Sequence, residues 1–255
     1  MQMRFILLFL LLRSVCFAQG LGAAGLNPLA NFCSRWNHQS QIKNEMLFID
    51  GGVETFSARS PIQYGLQPNW TGPITAGPNS YIIAVNMSSA WDWQHNISEV
   101  AINKSYVAVS GTGTWAPIYQ LAALFQGPEN DTNIYVYGGS SPDVNTSFPG
   151  YQWPYSNQYT LWGFDTITHV WTQYDVYNTV PERPSWGAHA EAPELNLAFY
   201  LNGIITNYSA PVDDYLANNT LYLEGMVVLD LANMTVSIYL NSHVRFEKQK
   251  QNLMP

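Results

Sequence analysis

The stretch Ile134-Tyr135-Val136-Tyr137-Gly138-Gly139 decides the fold of this chain. Four residues of high strand propensity run directly into a pair of glycines. Paired glycines after an apolar strand indicate that the backbone needs positive φ there, or that another strand packs too closely for a Cβ. A second strand is predicted at residues 159–165, and Trp171 follows it. Together these features predict one antiparallel sheet.

The same order of features occurs three times along the chain. Residues 46–50 precede Gly51-Gly52, and residues 197–201 precede Asn202-Gly203, where asparagine is the residue that tolerates positive φ best after glycine. Three later apolar strands each end in a side chain that can bond its own backbone and start a turn: Asn86, Asp165 and Asp230. We therefore predict an all-β fold made of repeated four-stranded sheets arranged radially, a β-propeller.

The sequence also suggests where each unit begins. The first unit is predicted to open at residues 35–39, the second near residues 106–110, and the third at residues 184–189; residues 235–240 are interpreted as the first strand of a fourth. A long insertion after the first glycine pair contains Pro61, Pro68, Pro73 and Pro78, which exclude a helix or a central strand.

These repeats resemble a known family. Each repeat consists of an apolar strand, a glycine pair, an aromatic strand, a turn Asp and a Trp. Two short stretches accompany the repeats, Cys33-Ser34-Arg35-Trp36-Asn37-His38-Gln39 and Ser185-Trp186-Gly187. This pattern and these stretches look like the secreted kelch-repeat proteins of filamentous fungi in the galactose-oxidase-like propeller superfamily. The resemblance covers residues 31–240. The alternative interpretation is a β-sandwich with chance glycine pairs.

The predicted propeller is incomplete. Propellers close with about four to eight blades, whereas three units and part of a fourth are visible. The resemblance implies further blades and often a membrane segment, so we expect a truncated product. After cleavage of a signal peptide that contains Cys16, Cys33 is left alone, and it is either buried, paired with another chain, or separated from a partner in the missing part.

Several features predict export. Residues 1–18 are interpreted as a signal peptide cleaved before Gln19, residues 19–30 as an N-terminal arm and residues 241–255 as an irregular tail. An N-terminal anchor is the alternative, but the apolar run is too short to span a bilayer, and no later run is long enough. Nine N-glycosylation sequons exceed the chance expectation of about three and are predicted acceptors: Asn69, Asn86, Asn96, Asn103, Asn130, Asn145, Asn207, Asn218 and Asn233.

Composition narrows the class of partner. The net charge is −8 and only 11% of residues are charged. Nucleic-acid binding needs clustered lysine and arginine, which this chain lacks. We therefore expect no nucleic-acid partner.

Motifs for catalysis or cofactor binding are lacking in the sequence, and we predict a protein that is not an enzyme and has no cofactor. The five histidines lack metal-ligand spacing, and His38 and His189 are interpreted as structural side chains near the propeller axis. No copper ligand set of a galactose-oxidase-like enzyme can be matched. Asp213-Asp214 and Glu191-Glu194 are interpreted as solvated acids rather than a glycosidase pair, and residues 143–147 lack the glycine of a calcium loop.

Aromatic residues in the predicted loops are the strongest indication of a binding site. Exposed rings stack on sugar faces, although the same residues could instead cap the blade cores. The candidates are Trp91, Trp93, Tyr151, Trp153 and Tyr155. The sequence therefore predicts a secreted or cell-surface glycoprotein that binds a protein or glycan through loops. The alternative is an extracellular carbohydrate-active enzyme or a fragment of a galactose-oxidase-like oxidase.

Overall fold

The computed structural model describes residues 28–29, 32–56, 76–92, 97–104, 116–142, 151, 160–174, 176, 183–209, 220–223 and 225–239. Within these residues the regular structure is β-strand, apart from one 3-10 turn at Pro193–Leu195. Twelve of the strands form three four-stranded antiparallel sheets, here called blades 1, 2 and 3. The predicted all-β fold with propeller-type blades is confirmed.

Blade 1 contains the strands β2 (Gln39–Lys43), β3 (Met46–Asp50), β6 (Tyr81–Asn86) and β7 (Glu99–Asn103), in that spatial order. Every neighbouring pair is antiparallel. The strand β7 closes the outer edge of the blade and was not identified in the sequence. The inner strand of blade 1 begins at Gln39, the last residue of the predicted opening at residues 35–39, and Arg35 and Trp36 belong to the preceding strand, Phe32–Trp36.

Blade 2 contains β8 (Ala123–Phe125), β9 (Asn133–Tyr137), β10 (Leu161–Asp165) and β11 (Trp171–Tyr174). The strand β9 contains the deciding stretch, and β10 lies within the strand predicted at residues 159–165. Trp171 follows β10, as the sequence predicts, and begins β11. The proposed opening of this unit at residues 106–110 lies outside the described residues.

Blade 3 contains β12 (Ala188–Ala192), β13 (Leu197–Leu201), β16 (Met226–Asp230) and β17 (Thr235–Tyr239). The interpretation of residues 235–240 as the first strand of a fourth blade is wrong. The strand β17 pairs along its whole length with β16, through a turn at residues 231–234. This short hairpin makes β17 the outer strand of blade 3.

The blades pack through alternating faces of the middle blade. Along β9, Ile134 and Val136 join the cluster shared with blade 1, whereas Tyr135 and Tyr137 join the cluster shared with blade 3. Successive side chains of a strand point to opposite faces, so a run of five strand residues serves both neighbours. Each fully buried side chain of this size contributes about 1.5–3 kcal/mol, which explains why the deciding stretch is apolar at every position.

The three sheets splay around a common hub. The inner strand β8 contacts both β2 and β12. In addition, the Gln41 amide of β2 donates a hydrogen bond to the Glu191 carboxylate of β12. Sheets stacked as flat layers would hold blades 1 and 3 about 20 Å apart, twice the usual spacing. The inner strands therefore converge, as in a propeller.

Two small sheets lie outside the blades. One combines β1 (Phe32–Trp36), β4 (Val53–Phe56) and β5 (Ala76–Pro78), and the other pairs β14 (Ile204–Ile205) with β15 (Leu221–Tyr222). The strand β5 ends at Pro78 on the edge of its sheet, the place where proline is tolerated. The predicted signal peptide, most of the N-terminal arm and the tail lie outside the described residues, as does the Cys33 thiol.

Asx turns end the third strand of each blade. The Oδ1 atom of Asp165 accepts hydrogen bonds from the N–H groups of Ile167 and Thr168, at 2.9 and 2.7 Å. Asp230 and Asn86 accept equivalent bonds from residues that follow them. Hydrogen bonds led by that from the Thr168 N–H lower the pKa of Asp165 to about 2.

Candidate functional site

The strands β3, β9 and β13 all end at the same end of the arc of blades, here called the glycine end. Each strand runs into a pair of residues with positive φ: Gly51-Gly52, Gly138-Gly139 and Asn202-Gly203. The backbone at these pairs reverses toward an insertion, and the β4–β5 and β14–β15 ribbons belong to two of these insertions. The glycine pairs therefore bring the longest connections of each blade to one end.

A backbone ladder links the blades at this end. Asn37, Leu121 and Trp186 each lie two positions before the inner strand of their blade, and all three have a left-handed backbone with φ of 56°, 58° and 66°. The Leu121 N–H donates to the Asn37 carbonyl at 3.0 Å, and the Trp186 N–H donates to the Leu121 carbonyl at 3.3 Å. A large side chain rarely adopts this conformation, so the ladder holds Trp186 in place. Its side chain is 65% exposed.

A second set of bonds aligns the glycine pairs with the next blade. The Gly52 N–H donates to the Tyr119 carbonyl and the Gly139 N–H to the Pro184 carbonyl, both at 2.9 Å. Within blade 1, Asn79 also donates to the Gly51 carbonyl at 3.1 Å, which anchors the return of the insertion. The starting points of the loops are thus fixed by rigid backbone contacts.

The insertions of blades 2 and 3 touch each other at the glycine end. The Ser141 N–H donates to the Tyr208 carbonyl at 2.8 Å. In the β14–β15 ribbon, Ile205 is buried, but Leu221 and Tyr222 are 39% and 68% exposed. Tyr222 could not be identified as a candidate beforehand, because the short run around it shows no periodicity.

The predicted loop aromatics do not form one cluster. Trp91 is 38% exposed and lies in the β6–β7 connection, at the end of blade 1 opposite the glycine end. Tyr151 is half-buried and lies in the β9–β10 connection, which leaves blade 2 at the glycine end. Trp93, Trp153 and Tyr155 lie outside the described residues. The structure therefore separates Trp91 from Tyr151.

A groove of about 250 Å³ opens between blades 1 and 2. Its walls are mainly apolar and include Phe48 and Ile102 of blade 1 and Ile167 of the β10–β11 hairpin. Ile167 is 72% exposed. The groove lies at the end opposite the glycine end.

Two polar side chains tie the hub together, buried Lys43 and half-buried Glu191. The Lys43 Nζ donates to three carbonyl oxygens of blade 2, those of Gln126, Pro128 and Asn133, at 2.8, 3.2 and 2.7 Å. Burial lowers the pKa of Lys43. Glu191 accepts a hydrogen bond from the Gln126 N–H at 2.7 Å as well as the bond from Gln41, and burial raises its pKa. These groups join blades rather than face a substrate.

A second buried cation lies beside blade 1. The Lys104 Nζ contacts the Asp50 carboxylate at 2.6 Å and lies 5.1 Å from the centroid of the Trp171 ring. Burial lowers the pKa of Lys104. The Asp50 carboxylate also accepts a bond from the Gln39 amide at 3.0 Å. This network again joins two blades.

Neither histidine singled out in the sequence approaches a metal site. His189 lies on β12 with its ring edge-on to Phe125, with centroids 5.6 Å apart, and burial lowers its pKa. His38 precedes β2, and burial together with the nearby Arg35 charge lowers its pKa. Among the described residues no group of three or more His, Cys, Asp or Glu side chains is arranged to hold a metal ion. Asp213-Asp214 lies outside them.

The predicted glycan acceptors differ in accessibility. Asn130 and Asn233 are exposed, both in turns, whereas Asn86, Asn103 and Asn207 are half-buried. The remaining sequons, at Asn69, Asn96, Asn145 and Asn218, lie outside the described residues. A search of the described helices for one long and apolar enough to cross a bilayer found none.

The likeness of this chain to known proteins lies in its structure. No protein-family model matches the chain, and no curated protein matches it. Among solved structures, the one described as "Structure of YjhT" is similar over 84% of this chain, with 10% sequence identity and a TM-score of 0.46. The matched region spans 53% of that protein, so this chain corresponds to about half of its length.

Proposed function

We propose that this chain is a secreted or cell-surface, N-glycosylated protein of kelch type that acts as a binding module. The glycine end carries the recognition surface, and the partner is a glycan or a protein of the cell surface. The observation that supports this function is the convergence of the blade insertions at one end of a rigid scaffold. Loops held in this way are where binding residues usually lie.

The exposed aromatic ring of Tyr222 favours a glycan as the ligand. The ring projects from a ribbon whose other side is anchored by buried Ile205 and Leu223. The Leu223 N–H also donates to the Gly203 carbonyl at 2.8 Å. A flat ring on an ordered support loses little conformational entropy on binding, which favours stacking on the apolar face of a sugar.

The experiment is a glycan-array measurement with the secreted chain and two alanine variants. Tyr222→Ala should weaken binding at least about tenfold, because truncation of an exposed aromatic anchor costs more than about 1.4 kcal/mol. Trp91→Ala is the matched control, since it removes a partly exposed aromatic at the opposite end. Retained binding by Tyr222→Ala with loss in Trp91→Ala would contradict a site at the glycine end. Absence of any glycan binding would leave a protein partner, tested by binding to intact cells.

A further inference from the structure

A sequon asparagine lies at the edge of the groove between blades 1 and 2. Asn86 ends β6, where it pairs directly with Met46 of β3, and Met46 lines the groove. Cross-strand partners lie on the same face of a sheet. Ala84, two positions before Asn86 on the same strand, also lines the groove, and alternate residues of a strand share a face. The Asn86 side chain therefore projects from the face of blade 1 that borders the groove.

The Asn86 side chain leaves its amide nitrogen available for modification. Its Oδ1 accepts hydrogen bonds from the Ser88 N–H at 2.8 Å and from the Ser88 hydroxyl at 2.7 Å. Its Nδ2 donates to none of the residues that the structure describes. Ser88 is the exposed third residue of this sequon. Because an N-glycan is attached to Nδ2, the turn at Asn86 and a glycan on Asn86 are compatible.

The groove offers apolar surface that is open to solvent. Val100 of β7 and Ile167 of the β10–β11 turn line it and are 50% and 72% exposed. Asn44 and His169 also line it, and both are exposed. An amide and an imidazole can bond hydroxyl and N-acetyl groups. Apolar walls with a few polar groups suit a sugar, whose rings have apolar C–H faces and polar edges.

Asn233 provides the contrast within the same chain. It is exposed in the turn after β16, and its Nδ2 donates to the Asp230 carboxylate at 2.8 Å. The groove does not border Asn233, because every residue that lines the groove belongs to blade 1 or to the β10–β11 turn of blade 2. A glycan on Asn233 therefore has no such surface beside it.

We propose that the occupant of the groove is the N-glycan of this chain itself, attached to Asn86. The inference rests on the proposed function, because it requires export and N-glycosylation. In the transfer, Nδ2 loses a proton and forms a bond to C1 of an N-acetylglucosamine, while the bond from C1 to a lipid pyrophosphate breaks and the lipid pyrophosphate leaves. The first sugars then pack between Val100 and Ile167 and connect blade 1 with blade 2.

Tethering makes this occupancy favourable. A group linked at the edge of its own site has an effective concentration on the order of millimolar, so weak contacts are enough to hold it there. The glycan covers the exposed apolar side chains of Val100 and Ile167 at the same time. It therefore acts as an intramolecular ligand that stabilises the contact between blades 1 and 2.

The first experiment measures access to the glycan in the folded protein. The full chain is secreted from a host that adds high-mannose glycans and is treated without denaturant with endoglycosidase H, which cuts between the first two sugars. Glycopeptide mass spectrometry follows release at each site. We expect release at Asn86 to be at least about tenfold slower than at Asn233, and the two rates to be equal in the unfolded chain. Ile167→Ser should bring the two native rates together.

The second experiment uses a matched pair of variants. Ser88→Thr keeps the sequon and Ser88→Val removes it, and the two differ by one hydroxyl in place of a methyl. In the secreted proteins Ser88→Val should have the lower Tm, by about 2–4 °C. The same pair made in a bacterial host without N-glycosylation measures the loss of the hydroxyl alone, and that difference should be smaller. Thr235→Val removes the Asn233 sequon and should leave the Tm of the secreted protein nearly unchanged.

The outcomes separate this proposal from the function on which it rests. Equal native release rates at Asn86 and Asn233, or an equal difference in Tm with and without glycans, would overturn the proposal and leave the proposed function standing. A secreted chain with glycans on other sequons but none on Asn86 would do the same. A secreted chain without glycans on any sequon would overturn both.

Discussion

Replacing Gly138 with alanine should separate blade 2 from blade 3 more than it disturbs either blade. Gly138 has φ of +70°, and a Cβ there would lie well under 3.0 Å from the Pro184 carbonyl oxygen. The same oxygen accepts the hydrogen bond from the Gly139 N–H. Because backbone cannot rotate away as a side chain can, the joint between these two blades must open.

Three contributions set the size of the effect. A left-handed conformation costs a residue with a Cβ about 1–2 kcal/mol. Loss of the bond between Gly139 and Pro184 costs about 1 kcal/mol. Opening the joint also weakens contacts such as that between Tyr137 and Tyr200, whose ring centroids are 5.1 Å apart, by about 0.5–1.5 kcal/mol. We expect the free energy of unfolding to fall by about 3–4 kcal/mol.

The same position in blade 3 supplies a matched control. Asn202 has φ of 57° but already carries a Cβ and is exposed. Asn202→Ala should therefore cost only about 1 kcal/mol, whereas Gly51→Ala should resemble Gly138→Ala. Urea denaturation followed by tryptophan fluorescence measures all three, provided that the slope with denaturant stays constant. Equal losses for Gly138→Ala and Asn202→Ala would refute the steric argument.

Two further predictions concern the hub. Lys43→Met should lower the free energy of unfolding by about 2–4 kcal/mol in the same assay, because three carbonyl oxygens lose a charged donor; a loss below about 0.5 kcal/mol would contradict it. Burial raises the pKa of Glu191 and Glu54, so these two carboxyls add stability as the pH falls from 7 to 5, whereas the lowered pKa values of His38 and His189 remove stability over the same range. Thermal melts at both pH values test the Glu191 contribution: the change in Tm from pH 7 to pH 5 should be less favourable in Glu191→Gln than in the wild type, and an equal change in both proteins would contradict it.

The repeated parts of the fold could be predicted because they depend on local chemistry. Gly138-Gly139 signals a backbone that must adopt positive φ, and Asp165 signals a turn through its own side-chain bonds. Both signals lie within a few residues of the structure they specify. Strand alternation also explains why residues 134–137 are apolar on both faces.

The pairing partners of strands could not be predicted in the same way. The strand β17 has the composition of any strand, and only the short turn after Asp230 makes it the outer strand of blade 3 rather than the start of another blade. The strand β1 similarly pairs with β4, and the whole β2–β3 hairpin of blade 1 lies between them in the sequence. Pairing across such distances depends on the packing of the whole blade rather than on local sequence.

The candidate site was harder still to predict. Asn37, Leu121 and Trp186 are equivalent in the structure, but they share no side-chain chemistry. Their role is carried by backbone N–H and carbonyl groups, which every non-proline residue possesses. Tyr222 is exposed because Ile205 and Leu223 bury the other side of its ribbon, a fact that depends on strand pairing within an insertion.

Joints made of backbone also explain how one scaffold carries different loops. Side chains at the ladder positions vary from asparagine to tryptophan without loss of the bonds, so the glycine end can change its surface while the blades stay in register. The steric constraint falls instead on the first residue of each glycine pair. At Gly51 and Gly138 this residue must lack a Cβ, because a carbonyl oxygen of the next blade occupies the place of that atom. Asn202, the equivalent residue of blade 3, carries a Cβ and keeps a left-handed backbone with φ of 57°.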